Sequence, residues 1–295
     1  MKIISIKENI YPEQLKYILN PPEILYAEGN LKLLNNKSIA IIGSRHPSEN
    51  GIKLAKKFST EISKLGITVV SGLARGIDTI SHNYSFDNIG KTIAVWGSGF
   101  NKIFPPENAS LYKKILENDG LVISEYPPNE ECNSAYFPAR NRIISGLSIG
   151  VLVIEAKFRS GTTRTAKYAI EQHKPVFALP HEIDDPHGVG TNRMLKKGAI
   201  LVTETIDILD KLHLDDAKKQ YLDLKDSEEK NIENTVFSDE IQSKLYKLIC
   251  TTPISANELA KKTKFSINDI LSALFILEMN GFIKKVEGGF ICTRI

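Results

Sequence analysis

Cysteine is scarce and scattered: three in 295 residues, Cys132, Cys250 and Cys292, with no CxxC pair and no histidines at ligand spacing beside them. That excludes a disulfide framework or a small zinc module and fits a reducing compartment. His82, His173, His181 and His187 show no metal-ligand spacing, and Glu182-Ile183-Asp184-Asp185 reads as a solvated loop. No metal and no cofactor are expected. No apolar run approaches the ~20 residues that span a bilayer. Lys2, Lys7 and Glu8 interrupt the start of the chain, and no apolar signal core follows. Two nucleotide fingerprints are missing as well. Gly97-Ser98-Gly99 continues as Phe100-Asn101-Lys102 rather than GxGxxG, the strand before Gly72 ends in Ser71 rather than a ribose-binding acid, and there is no Walker-A sequence. A cytoplasmic protein without a membrane partner is expected.

The length suits roughly two domains, and 42% hydrophobic residues suffice for packed cores. Short β-branched runs at Ser38–Ile42, Ile67–Val70, Thr92–Trp96, Leu121–Ser124, Gly150–Ile154, Pro175–Leu179 and Ala199–Val202 alternate with helical spacing at Ile52–Leu65, Ile77–Phe86, Asn108–Asn118 and Thr163–Gln172. The pattern predicts an α/β domain over 38–214, an extended Rossmann-like parallel sheet covered by helices. Residues 1–37 are expected as an N-terminal helical extension with a Pro21-Pro22 turn. The stretch 215–240 carries nine acids against four lysines and few apolar residues, and reads as a flexible acidic linker. Residues 241–295 carry eight bases against four acids. Their grammar is three helices (Gln242–Cys250, Ser255–Lys262, Ser266–Met279) and a hairpin across Gly288-Gly289, which is a winged helix-turn-helix.

Glycine placement carries the chemical signal. Strands run into Gly43-Ser44-Arg45, Ser71-Gly72-Leu73-Ala74-Arg75-Gly76, Gly97-Ser98-Gly99 and, after Glu155-Ala156-Lys157-Phe158-Arg159, Ser160-Gly161-Thr162; farther on comes Gly188-Val189-Gly190-Thr191-Asn192-Arg193. In an open α/β sheet these turns share the carboxyl edge, where ligands bind. Glycine admits close approach of backbone N–H groups, and a helix N-terminus adds free donors and a favourable dipole. One such turn is as readily a tight βα loop; several, each beside Arg, Ser or Thr, indicate an anion site. Phe137-Pro138-Ala139-Arg140-Asn141-Arg142 and Lys157-Phe158-Arg159 interleave aromatics with cations, the pattern that holds single-stranded nucleic acid. For Phe137 and Arg142 a competing reading stands: a core ring, and an internal ion pair with Glu125 or Glu155. Those two acids read as an acid–base pair or as partners of Arg140 and Arg142, the latter preferred.

At these residues the chain resembles the bacterial DNA-processing protein A family, also called DprA or Smf. The most specific stretches are Ile39–Arg45, Ser71–Asp78 and Phe137–Ser148, followed by Glu155, Ser160 and Gly161. The resemblance implies a homodimer that binds single-stranded DNA without turnover, protects incoming strands in natural transformation and helps load the RecA recombinase. It assigns DNA contact to Ser44, Arg45, Lys157, Phe158, Arg159, Ser160 and Gly161, and places Arg75, Arg140 and Arg142 in family motifs. With the glycine turns, the expected nucleic-acid site is Gly43, Ser44, Arg45, Arg75, Gly97, Ser98, Arg140, Arg142, Lys157, Phe158, Arg159, Ser160, Gly161 and Thr162. The chain departs from the family at Thr163-Arg164-Thr165, where apolar residues are usual, and at His181, where glycine is common.

Two other functions compete. Nucleoside-monophosphate-hydrolysing enzymes of a related fold use PGGxGTxxE; here Thr165 occupies the acid position, which removes the agent for activating water. A duplex-reading regulator would want bases on Ser266–Met279, which offers Asn268 but neither Lys nor Arg. The winged unit therefore reads as an auxiliary DNA contact or a protein-binding surface.

Overall fold

The computed structural model describes residues 1–101, 105–158, 160–236, 240–249 and 253–293. The chain divides into two compact units, Met1–Tyr221 and Leu222–Ile295.

In the first unit, β1 (Lys2–Ser5) and β2 (Ile24–Gly29) precede β3 (Ser38–Ile42). Helix and strand then alternate through α1 (Glu49–Lys64), β4 (Thr68–Ser71), α2 (Ile77–Asn83), β5 (Thr92–Trp96), α3 (Ala109–Glu117), β6 (Leu121–Ser124), α4 (Tyr136–Leu147) and β7 (Gly150–Val153). The unit continues with α5 (Gly161–Glu171), β8 (Val176–Ala178), α6 (Val189–Lys196), β9 (Ile200–Leu201) and α7 (Thr205–Lys211). The nine strands form one sheet in the order β1-β2-β6-β5-β4-β3-β7-β8-β9. From β6 to β9 every pairing is parallel, whereas β1 and β2 join antiparallel. Strand order reverses at β3, which has β4 on one side and β7 on the other.

Strands buried on both faces explain the continuous apolar runs. Ala40, Ile42, Val70, Val95, Val151 and Val153 point to one face, where Ile143, Ile144 and Leu147 of α4 cover them. Ile39, Ile41, Val69 and Leu152 point to the other, beneath Ala55, Phe58 and Ile62 of α1. The 55, 58, 62 spacing is one helix stripe. Ser48 starts that helix by accepting from Gly51 N at 3.0 Å.

Residues 1–37 correct the expected helical extension. Apart from two single 3-10 turns they contribute β1 and β2, and Tyr26 to Gly29 pair with Ser124 to Leu121. In β2, Leu25 and Ala27 are buried while their neighbours are not, a period of two. The edge of β6 supplied the ladder that no local pattern announced. The acidic stretch also differs from a flexible linker, because Asp215–Val236 is a helix, α8. It contains no Gly or Pro, carries four Lys and three Glu, good helix formers, and Tyr221 packs into the core of the first unit.

The second unit is a winged helix: α9 (Glu240–Leu248), α10 (Ala256–Thr263), α11 (Ile267–Met279) and the hairpin β10 (Ile283–Val286) with β11 (Gly289–Cys292). Leu245, Leu259, Ile270, Leu274, Leu277 and Ile283 form its core. Ser255 and Glu258 cap α10 reciprocally, and Ser266 accepts from Asp269 N at 3.2 Å to start α11.

Phe58 is fully buried between α1 and the sheet. Phe58→Ala is expected to lower stability by about 3–5 kcal/mol, read as a shift of the urea midpoint at unchanged slope.

Candidate nucleic-acid interface

The reversal at β3 sends the connections after β3 and β7 to opposite faces of the sheet and leaves a crevice beyond their carboxyl ends, where open α/β sheets bind ligands. A cleft of about 700 Å³ occupies that place, lined by residues of the β3–α1 and β7–α5 connections and of α4 and α5.

The first wall is Gly43-Ser44-Arg45-His46. A Cβ on Gly43 would lie 2.6 Å from Ile77 Cγ1, so glycine lets α2 pack against the strand end. Ser44 Oγ donates to His46 O (2.9 Å) and accepts from His46 N (3.1 Å). Its hydroxyl is thus engaged in the turn, and what it presents is Arg45, which is exposed. Opposite stand Lys157, also exposed, and the start of α5. Among the described residues neither Arg45 nor Lys157 makes an ion pair.

Two helix N-termini approach this edge, and they differ. At α1, Ser48 N donates to Glu155 Oε2 (3.1 Å) and Ser48 Oγ donates to Glu155 Oε1. Glu155 is fully buried there, so the protein's own carboxylate occupies the anion position of α1. Gly51 makes room, since a Cβ would fall 2.3 Å from the Glu155 carboxyl carbon. At α5 the arrangement is open. Ser160 at the N-cap makes no side-chain cap bond, and among the described residues its Oγ has no partner. Among the described residues nothing lies within 4 Å of a Cβ built on Gly161. Thr162 Oγ1 donates to Gly43 O at 3.0 Å, fastening this turn to the end of β3. Thr163 N donates to Ser160 O at 3.2 Å, whereas the N–H groups of Gly161 and Thr162, residues that line the cleft, have no intrahelical acceptor.

Of the expected site, Gly43, Ser44, Arg45, Arg140, Lys157, Ser160, Gly161 and Thr162 line the cleft. Arg140 does so as floor: it is 4% exposed and donates through Nη1 to Gly72 O and Val95 O. Phe158 stands outside the lining, exposed, with the Arg193 guanidinium over its ring. Arg159 lies outside the described residues.

Four more residues of the expected site lie outside the cleft. Arg142 makes the internal pair, bidentate to Glu125 with Nη1–Oε2 at 2.9 Å, and donates Nε to Asn20 O at 2.9 Å. It ties the N-terminal segment to α4. Arg75 pairs with Glu107 at 2.5 Å on the surface and does not line the cleft. Gly97 packs on the Phe137 ring, which a Cβ would approach to 2.8 Å. Ser98 is fully buried and accepts from Trp96 Nε1 at 2.6 Å. Pro127 O and Pro128 O crowd Gly99, so this turn is closed off by the 127–130 loop. Glu155 pairs with Ser48, and not with an arginine.

The expected site omitted His46 and Asn141, which also line the cleft, and Arg193 on α6, which the sequence placed in a glycine turn without assigning it a contact. Arg164, for which the sequence left a phosphate contact and a solvent-facing position open, lines it too, one turn into α5. Its offset of three from Gly161 was the available signal; for Arg193 it was the glycine turn that precedes it, which follows a parallel strand and so shares the carboxyl edge.

Beneath the floor lies a buried ionisable group. Asp78 accepts from Gly72 N (3.1 Å) and Ala74 N (3.4 Å), and burial raises its pKa despite the nearby Arg140 charge. His82 Nε2 accepts from Leu73 N (3.3 Å), and Nδ1 lies 2.7 Å from Thr92 Oγ1, whose own proton goes to Val69 O. That pattern fixes a neutral ring protonated on Nδ1. Burial, and then the Arg140 charge, push the His82 pKa down to about 3.

Known proteins share both this sheet and this cleft-bearing sequence. Residues 2–213 match the family profile described as DNA recombination-mediator protein A, and residues 234–289 match the DprA winged helix domain. Protein Smf of Escherichia coli K12 is 36% identical over 297 residues, covering 99% of this chain and 77% of that protein. The crystal structure of DNA processing protein A from Streptococcus pneumoniae superposes with a TM-score of 0.66 at 42% identity, over 71% of this chain and 73% of that one. DNA processing protein A from Helicobacter pylori, in a structure concerned with its single-stranded DNA binding mode, gives 0.66 at 29% identity, over 73% and 97%.

The buried polar groups have two measurable consequences. Helix propensity alone would make Gly51→Ala stabilising by about 1 kcal/mol; collision with Glu155 reverses the sign, and a loss of about 1–3 kcal/mol is expected by urea unfolding. For His82 the unfolded ring titrates near 6.5 and the folded one near 3. Between those values only the unfolded state takes up the proton, so stability falls as pH drops, by up to about 1.4 kcal/mol per pH unit. Unfolding measured from pH 7 to 4 on wild type and His82→Gln checks this: the variant should lack that part of the slope. Asp78 responds with the opposite sign but is common to both proteins.

Proposed function

The chain belongs to the DNA recombination-mediator protein A family, and from that premise we propose that it is a cytoplasmic, non-catalytic protein that binds single-stranded DNA. It protects incoming single strands and helps load the RecA recombinase in natural transformation, acting as a homodimer. The observation that carries the binding reading is the open N-terminus of α5 at the switch point of the sheet, with Arg45 and Lys157 beside it, both without an ion pair among the described residues.

The chemistry is that of a phosphate seat. Free N–H groups of Gly161 and Thr162 donate to one phosphate, Gly161 leaves the approach open, and the Ser160 hydroxyl lies buried behind them at the N-cap. Arg45, Lys157 and Arg164 supply charge along the backbone on either side. Buried Arg140 adds positive potential from below without needing to touch the ligand. Gly43, Ser44 and Thr162 shape the wall; Phe158 and Arg159 extend it with an aromatic face and a further cation. The matched protein from Helicobacter pylori, whose structure concerns single-stranded DNA binding, supports the choice of polymer over mononucleotide. We divide the chain functionally into 38–214 for DNA binding, 215–240 as connector and 241–295 as the winged helix.

The hydrolase alternative finds little support. Among the described residues lining the cleft the one carboxylate is Asp78, which is buried and already accepts two backbone N–H groups. Thr165 lines the cleft where such an enzyme carries its acid. A duplex-reading role is opposed by α11, whose exposed Ile267, Leu271, Phe275 and Met279 offer no donors to base edges.

Titrating labelled oligothymidylate at several salt concentrations tests the proposal. Arg45→Glu and Lys157→Glu are each expected to weaken binding at least tenfold. Each should also reduce the dependence of log affinity on log salt by about 0.7 for every phosphate that is no longer neutralised. Duplex competitors should displace the strand poorly. Unchanged affinity in both variants, or affinity indifferent to salt, rejects the cleft as the binding site.

A further inference from the structure

The cleft does not exhaust the basic groups gathered at the switch point. Arg193, on α6, holds its guanidinium carbon 4.2 Å from the centroid of the Phe158 ring. Arg193 is exposed, and among the described residues no carboxylate pairs with it. Phe158 keeps 53% of its surface exposed. A large aromatic left so open, one residue from a cleft cation, forgoes the burial that usually drives packing.

The pair does not join two independent loops. Ala156 N donates to His187 O (3.0 Å), and Gly190 N donates to Ala156 O (2.6 Å). His181 Nε2 lies 2.9 Å from Ile154 O. A Cβ on Gly190 would fall 2.5 Å from Ala156 O, so glycine lets α6 sit directly against the chain leaving β7. These links fasten the start of α6 to residues 154–156, and Phe158 projects two residues farther on. Ring and guanidinium thus ride on one frame. A guanidinium carries five N–H donors in one plane, so it can sit over a ring and still offer a bidentate pair to a phosphate; a lysine ammonium lacks that plane.

We propose that Phe158 and Arg193 form a stacking subsite for single-stranded DNA on the α6 side of the cleft. The exposed surface of the ring takes a base, and Arg193 backs the ring and binds the adjoining phosphate. The subsite rests on the single-stranded-DNA reading above and adds to it a direction, from the α5 phosphate seat toward α6. Neither residue lines the cleft, so a ligand with one phosphate fills the seat without reaching Arg193.

The test measures binding of labelled oligothymidylate by the whole chain, as wild type, Arg193→Gln, Arg193→Lys, Phe158→Ala and the Phe158→Ala/Arg193→Gln double variant. Circular dichroism checks that each is folded. Arg193→Gln is expected to weaken binding roughly fivefold to twentyfold and to lower the salt slope by about 0.7, the value for one phosphate on a single strand. Arg193→Lys should keep the slope and lose part of the affinity. Phe158→Ala should cost about tenfold, and the double variant should fall short of the product of the single losses. Thymidine monophosphate should compete equally well against wild type and Arg193→Gln.

Wild-type affinity and slope in Arg193→Gln, with Arg45→Glu still disabled, overturns the subsite and leaves the DNA-binding reading standing. Fully multiplicative losses overturn the shared stack. If Arg45→Glu and Lys157→Glu are also silent, the DNA-binding reading itself fails, and the subsite with it.

Discussion

Glu155, a buried carboxylate just past the carboxyl end of β7, governs which helix terminus in the crevice meets solvent. It takes the backbone N–H and the hydroxyl of Ser48 and fills the space that Gly51 leaves beside it. The positive end of α1 is thereby neutralised from within. In dinucleotide-binding sheets the helix after the first strand receives the pyrophosphate. Here that terminus is sealed and the open one belongs to α5, on the other side of the reversal. The lack of a GxGxxG fingerprint is then more than a missing motif, since the terminus it would serve is occupied.

Charge beneath the surface works with charge upon it. Arg140 is buried in the floor with Asp78 near it, and His82 is held neutral below. A buried charge must be paired or hydrogen-bonded to be tolerated, and Arg140 meets this through Gly72 O and Val95 O. Its field therefore persists in a poorly screened interior, under exposed Arg45. A polyanion would meet mobile cations at the rim and a fixed one underneath.

The outer elements hold this edge still. Arg142, with Glu125 and Asn20 O, locks the N-terminal segment to α4, the helix that also carries Arg140. Strands β1 and β2 close the β6 side of the sheet. On the far side, the start of α6 is strapped to residues 154–156. The winged unit has another surface chemistry: its third helix buries one stripe and exposes another that is also apolar.

The amino-acid sequence by itself determined the strands of the parallel core, its helices α1, α2, α3 and α5, the winged helix and the family. Runs buried on both faces, stripes at 55, 58 and 62, and caps at Ser48, Ser255 and Ser266 are local signals that act within a few residues. It also determined most of the cleft, because turns that follow parallel strands must share one edge. Tertiary structure decided the rest. Lys2–Ser5 and Ile24–Gly29 are no shorter than the core strands, but they lack the continuous apolar runs of strands buried on both faces, and they became strands against the edge that β6 offered. Arg140, Arg142 and Arg75 carry the same guanidinium as Arg45, but long-range partners made one a floor, one a clamp and one a surface pair. Gly97 and Gly161 are alike in sequence context, yet a ring covers one and open space faces the other. Which cations and which turns meet a ligand depends on residues dozens of positions away, and no local pattern carries that information.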